Sequence, residues 1–196
     1  MRSSGLLLAI AMTAPTTSAQ ADVHTGSTIG LGKFLLDSLS DGHGPEGTGT
    51  AIAVDGVTLA DLTGWLRGGG GLGYRFLTGG STSSWRPGHL LDLDALLQAR
   101  VGAGANGAVT FTAGVSLAYA RYPGSAFDLT AYGTMATARI GYQHRAGPAR
   151  AWLVELVART PTSGWSMRFD TDENYWSNAK HAVATLTLGV GMMFDR

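Results

Sequence analysis

The sequence predicts an all-β fold, an antiparallel up-and-down transmembrane β-barrel of about eight strands, and three observations predict it. Beyond Gly88, apolar and more polar residues alternate with a period of two, the signature of strands with two unlike faces. Only 14% of the 196 residues are charged, against roughly 25–35% for a surface that faces water. The chain opens with the pattern of a secretory leader.

The leader comes first. Met1 to Ala21 reads MRSSGLLLAIAMTAPTTSAQA: Arg2, an apolar run from Leu6 to Met12, then a polar stretch closing on Ala19-Gln20-Ala21, with small residues at both cleavage-recognition positions. The expected organisation is a signal peptide over 1–21 and one barrel domain over 22–196. The apolar run is far shorter than the roughly 20 residues of a spanning helix, and no later run is long enough, so a membrane location requires strands. The chain has no Cys, which excludes a lipoprotein anchor, disulfides, thiolate metal sites and a Cys nucleophile.

Eight segments then read as strands. The first two are Ser27 to Leu39, where Lys33 and Asp37 interrupt one face and Phe34-Leu35-Leu36 reads equally as a short helix, and Thr48 to Ala60. Trp65 to Leu77 puts Leu66, Leu72, Tyr74 and Phe76 on one parity and Arg67 and Arg75 on the other. In the fourth, Leu91, Leu93, Leu97 and Val101 alternate with Asp92, Asp94, Gln98 and Arg100. The fifth sets Val109, Phe111, Val115, Leu117 and Tyr119 against Thr110, Thr112, Gly114 and Ser116. Tyr132, Ile140 and Tyr142 alternate with Arg139 and Gly141, and Trp152, Val154 and Leu156 with Glu155 and Arg159. The last runs from Ala182 to Phe194, Leu186, Leu188 and Val190 opposing Thr185, Thr187 and Gly189.

Short connections fall around Asp55 to Asp61, at AGANG and at HRAGPAR; the alternate ones are mostly longer, chiefly Leu77 to Pro87 and Thr160 to Lys180. Short turns on one side and longer loops on the other suit an outer-membrane barrel with both chain ends in the periplasm. The second parity is mainly Gly, Thr, Ser and Ala, which fits a narrow filled interior better than the water-facing exterior of a soluble barrel. Tyr132 and Tyr142 lie ten residues apart on one strand. At about 3.3 Å per residue and a tilt of about 40°, that spacing puts them roughly 25 Å apart along the membrane normal, as in a pair of aromatic girdles.

The leader, the run GGGGLGYRF and the closing HAVATLTLGVGMMF resemble the small outer-membrane β-barrels of the OmpA and OmpX type, a resemblance of architecture that spans the mature chain. It implies export to the bacterial outer membrane, with membrane lipid as the first partner. Such chains close on an aromatic residue that the assembly machinery recognises; Phe194 resembles it, although Asp195 and Arg196 follow.

No catalytic, cofactor or metal site emerges. Gly68 to Gly73 contains G-x-G-x-x-G, but Tyr74-Arg75-Phe76-Leu77 continues a strand where a dinucleotide site needs a helix. Gly26 to Lys33 lacks the residues of a phosphate loop, and Asp170 to Asn174 lacks the Gly and the closing acid of an EF-hand. His89 and His181 have no nucleophile at His-x-Ser spacing, and His24, His43 and His144, read as loop or terminal residues, have no metal-ligand spacing. Acidic and basic residues balance at 14 each and form no basic stripe, which argues against nucleic acid.

The cluster with most physical content is the inward parity: Arg67, Arg75, Asp92, Asp94, Gln98, Arg100, Arg139, Glu155 and Arg159. Charges inside a narrow barrel have to be paired. Hairpin geometry brings Arg75 toward Asp92 and Asp94, and Arg139 toward Glu155. The expected role is structural or adhesive, through loops whose contact candidates are Trp165, Tyr175 and Trp176 and whose partners are other envelope proteins. The alternatives are a narrow channel for ions or small solutes and a lipid-modifying enzyme.

Overall fold

The computed structural model describes residues 22–38, 47–78, 87–123, 128–163, 165–170 and 176–195. The expected signal peptide, Tyr175 and the calcium-like stretch from 171 to 174 lie outside them.

Nine strands follow one another: β1 (Val23–Ser38), β2 (Gly47–Asp61), β3 (Leu66–Thr78), β4 (Gly88–Gly102), β5 (Gly107–Tyr122), β6 (Asp128–Gly147), β7 (Arg150–Pro161), β8 (Trp165–Asp170) and β9 (Trp176–Asp195). From β1 to β7 each pairs antiparallel with the next, β9 pairs with β7, and β1 pairs with β9 from His24 opposite Asp195 to Ser38 opposite His181, which closes the sheet. No edge is left unpaired among these staves, so the barrel offers no open strand to another chain.

Nine strands make eight staves. β7 lies between β6 and β9, and β8 continues it in the same slot, pairing with β6 from Asp128 to Tyr132 and with β9 from Trp176 to His181. Between the two pieces, Met135 faces Pro161 and Tyr132 faces Ser166, so this stave carries two residues more than β6 over the same interval. Pro161 has no N–H to continue the ladder, and an insertion of two keeps the same parity facing inward. The expected loop over Thr160 to Lys180 is therefore corrected: most of it is barrel wall. Two further readings change. Phe34-Leu35-Leu36 is strand, and Asp55, expected near a turn, lies inside β2, whose turn is 62–65.

The register fixes the barrel's shape. From Ile29, partners run through Val54, Tyr74, Leu91 and Tyr119 to Tyr132; in the other direction they run through Val190 and Val154 to Tyr142, ten residues away on the same strand. With about 3.3 Å per residue and about 4.8 Å between strands, that stagger tilts eight strands by about 41° and gives a backbone radius of roughly 8 Å. Side chains fill such an interior.

The two faces separate by chemistry. Leu31, Leu93, Leu117 and Leu188 stand on the outer wall, each more than half exposed, while the charged parity of β3, β4, β6 and β7 points inward. The end carrying the termini has the turns at 62–65, 103–106 and 148–149. Gly104 there has φ 77°, a conformation that residues with a Cβ rarely adopt.

Candidate functional site

The lumen is stacked in three layers. In the middle, three guanidiniums meet four carboxylates. Arg159 Nη2 donates to Asp55 Oδ1 and Asp94 Oδ2, both at 2.9 Å, and lies 3.1 Å from Asp92 Oδ1. Arg75 Nη2 donates to Asp55 Oδ1 at 2.6 Å, and its Nη1 donates to Asp92. Arg139 reaches Asp94 Oδ2 at 2.8 Å and Glu155 Oε1 at 3.3 Å. Hydroxyls on β1, β5 and β6 join the network: Thr28 Oγ1 donates to Glu155 at 2.9 Å, Ser116 donates to Asp94, and Thr137 sits 2.9 Å from Ser116.

Register explains why these groups converge. Asp92 lies opposite Gly73 and Asp94 opposite Gly71 on β3, while Gly73 lies opposite Asp55 on β2. A Cβ on Gly73 would collide with Asp92 and Arg75 and come within 2.8 Å of Asp55 Oδ1. The glycine vacates the volume that the ion pairs occupy. Asp55, Asp92 and Asp94 approach one another closely enough to suggest a cation site. Arg75, Arg139 and Arg159 already supply the positive charge there.

Toward the end away from the termini, the lumen turns apolar. Phe34, Leu77, Leu90, Tyr122, Leu129, Met135, Trp165 and Val183 form one buried cluster. Its rings are seated on glycines across the strand pair: Phe34 over Gly49, Tyr122 over Gly88 and Trp165 over Gly133, each at the spot a Cβ would claim. Trp165 Nε1 also donates to the Thr134 carbonyl at 3.3 Å.

At the terminal end, a cavity of about 380 Å³ opens from the mouth. His24 sits at its edge between Asp195 Oδ1 at 2.7 Å and Asp61 Oδ1 at 3.1 Å, and Arg67 Nε donates to the same Asp61 oxygen at 2.8 Å.

The sequence-derived residues thus divide. Arg75, Asp92, Asp94, Arg139, Glu155 and Arg159 meet in the middle layer. Gln98 is buried nearby and donates to Thr112 Oγ1 at 3.1 Å. Arg67 and Arg100 belong to the mouth, Arg100 exposed there and not part of the ion-pair network. Trp165, expected as a loop contact, is corrected: it is a strand residue only 1% exposed, because the even insertion turns its side chain inward. Trp176 is in β9, opposite Arg168. Tyr132 and Tyr142 are exposed on the outer wall. Sequence reasoning missed Asp55 and His24. Asp55 shares the parity of buried Ala51 and Ala53, a signal that its Asp-Gly dipeptide concealed.

No protein-family model matches the sequence, and no curated protein matches it. Solved structures do. The crystal structure of Neisserial surface protein A superposes with a TM-score of 0.60 at 11% identity, covering 88% of this chain and 96% of that one. The fold is that of the small outer-membrane β-barrels. Two further structures agree with it: outer membrane protein OprG from Pseudomonas aeruginosa, with a TM-score of 0.51 at 10% identity over 90% of this chain and 96% of that one, and outer membrane protein AlkL in lipid bilayers, 0.52 at 14% over 93% and 95%.

Proposed function

We propose that this protein is a bacterial outer-membrane β-barrel with a closed lumen, whose role is structural or is carried by what its loop end presents to partners outside the cell. The outer wall supports the membrane reading. It is apolar along its height, with Phe111, Tyr142, Trp152 and Phe194 toward the terminal end and Tyr119 and Tyr132 toward the other. Membrane lipid is then its first partner, and the connections at 79–86 and 171–175 are the segments through which envelope or surface partners would be met.

The observation that carries the closed-lumen reading is the stacking of a buried ion-pair layer beneath a buried apolar layer. An ion crossing this lumen would have to part Arg159 from three carboxylates and then enter a stretch walled by Phe34, Trp165 and Leu90, losing its hydration where nothing replaces it. A narrow conducting path is the poorer reading. A lipid-modifying site finds little support either: among the described residues, His24 pairs with Asp61 and Asp195 and His89 with Tyr74, none with a Ser or Thr.

Cell fractionation followed by electrophoresis with and without boiling tests the location, and recording in planar bilayers tests the lumen. Outer-membrane recovery, a band that shifts on heating and an absence of steady conductance are expected. A soluble periplasmic product overturns the membrane reading, and steady single-channel steps overturn the closed lumen. Changed lipid A or phospholipid profiles on overexpression would favour the enzyme.

A further inference from the structure

The cavity at the terminal mouth is lined by residues of that end alone, and the buried ion-pair layer lies deeper in the lumen, so a solute held here does not have to pass it. Its electrostatics are unbalanced. Two of the three lining carboxylates are already engaged, Asp61 by His24 and Arg67 and Asp195 by His24. Asp22 is the third. Against it stand Arg100, Arg145 and Arg150, all exposed, all lining the cavity, and none with a carboxylate partner among the described residues. Strand β4 supplies the first, and the two arms of the β6–β7 hairpin supply the others.

A second, independent feature points the same way. Gln143 lines the cavity, is 5% exposed, and its Nε2 is buried without any hydrogen-bond partner. A buried donor left unmatched is costly, so an acceptor in the cavity would recover that cost. Guanidiniums bind carboxylate and phosphate oxygens in pairs of parallel hydrogen bonds. A volume of about 380 Å³ suits a solute of several heavy atoms.

We infer that this mouth is a binding site for a small oxyanion, a solute bearing a carboxylate or phosphate group, held by Arg100, Arg145 and Arg150 with Gln143 Nε2 donating from the inner side. The site needs only the folded barrel, so it is tested apart from the membrane reading. The full chain, in non-ionic detergent and shown by its heat-shifted band to be folded, is titrated calorimetrically with inorganic phosphate and, separately, with succinate.

Saturable binding of one or both is expected, and which of the two binds names the group. Arg100→Gln combined with Arg145→Gln should weaken it by about tenfold or more, since each lost charge-assisted bond is worth that much. Gln143→Leu should weaken it with the net charge unchanged. Arg121→Gln, at the opposite end of the barrel, should leave it as it was. The inference is overturned if neither anion gives a saturable signal, or if Arg121→Gln weakens binding as much as the mouth variants do. Failure here leaves the outer-membrane reading standing, because that reading fails only through fractionation.

Discussion

The middle and the outer half of the lumen fill the same narrow cylinder with opposite chemistry. The middle is held by guanidiniums, each shared between two or three carboxylates, with hydroxyls of Thr28 and Ser116 bonded to the same carboxylates. The outer half is held by rings lying over glycines, each a contact between one strand and the next. The difference lies in reach. A guanidinium extends across the barrel axis and ties together staves that are not neighbours, Arg159 on the seventh joining Asp55 on the second and Asp94 on the fourth. The seat of a ring on a glycine is a contact between adjacent staves, and beyond it the rings meet only other apolar side chains. Damage in the middle layer should spread around the barrel, whereas damage in the outer half should stay local.

Arg159→Leu is the harshest way to break this comparison. It leaves Asp92 and Asp94 with a single guanidinium each, Arg75 and Arg139 respectively, and Asp55 shared between the same two. Removing one partner from a buried ion-pair cluster costs about 3–5 kcal/mol. Urea unfolding in lipid vesicles, followed by the heat-shifted band, should show a loss of that size. A loss under about 1 kcal/mol would mean that the network merely fills space.

Trp165→Ala comes next. It removes a fully buried indole and its bond to the Thr134 carbonyl, for about 3 kcal/mol. The loss should be local: hydrogen exchange should quicken along β8 and the facing part of β6 while β2 and β3 stay protected. Uniform quickening would erase the distinction between the two layers. On the outer wall, Leu93→Arg should cost about 2 kcal/mol in a bilayer, because Leu93 lies mid-strand and faces outward. If the wall faced water instead, the same change would be nearly silent.

How much of this was legible in the sequence follows from the same contrast. Parity alone assigned Asp92, Asp94, Arg139, Glu155 and Arg159 to the interior, because alternation sends every second side chain to the same face whatever the register. Pairing in adjacent hairpins was within reach too, Arg75 with Asp92 and Arg139 with Glu155. The cross-barrel links were not. Arg159 meets Asp55 only once the sheet closes with a stagger of ten residues, a property of the whole ring that no single hairpin encodes. Asp55 itself was hidden because Asp-Gly is a strong turn signal, and here tertiary pairing overrides it. The seating of Trp165 over Gly133 was illegible for a related reason: an insertion beside Pro161 in β7 looks like the start of a loop until the pairing of β8 with β6 is known.

The smallest expected effect sharpens the comparison most. Arg75→Met and Asp92→Leu each break a buried pair and should each cost about 3 kcal/mol or more. Made together, they remove one positive and one negative charge, so the remaining Asp55, Asp94 and Glu155 face Arg139 and Arg159 with the same imbalance as before. Two apolar side chains of similar bulk then occupy the space between Gly73 and its neighbours. The double variant should lie within about 1 kcal/mol of the parent, a large coupling energy in a double-mutant cycle. That outcome would mean the charged layer adds little net stability. Its contribution would then be to fix register, since a slip of one residue turns Asp92 and Asp94 onto the outer wall and brings Leu91 and Leu93 into the lumen. If instead the double variant is as unstable as the sum of the singles, each charge is held by the whole network and not by its nearest partner, and the middle layer has to be treated as one unit around the entire barrel.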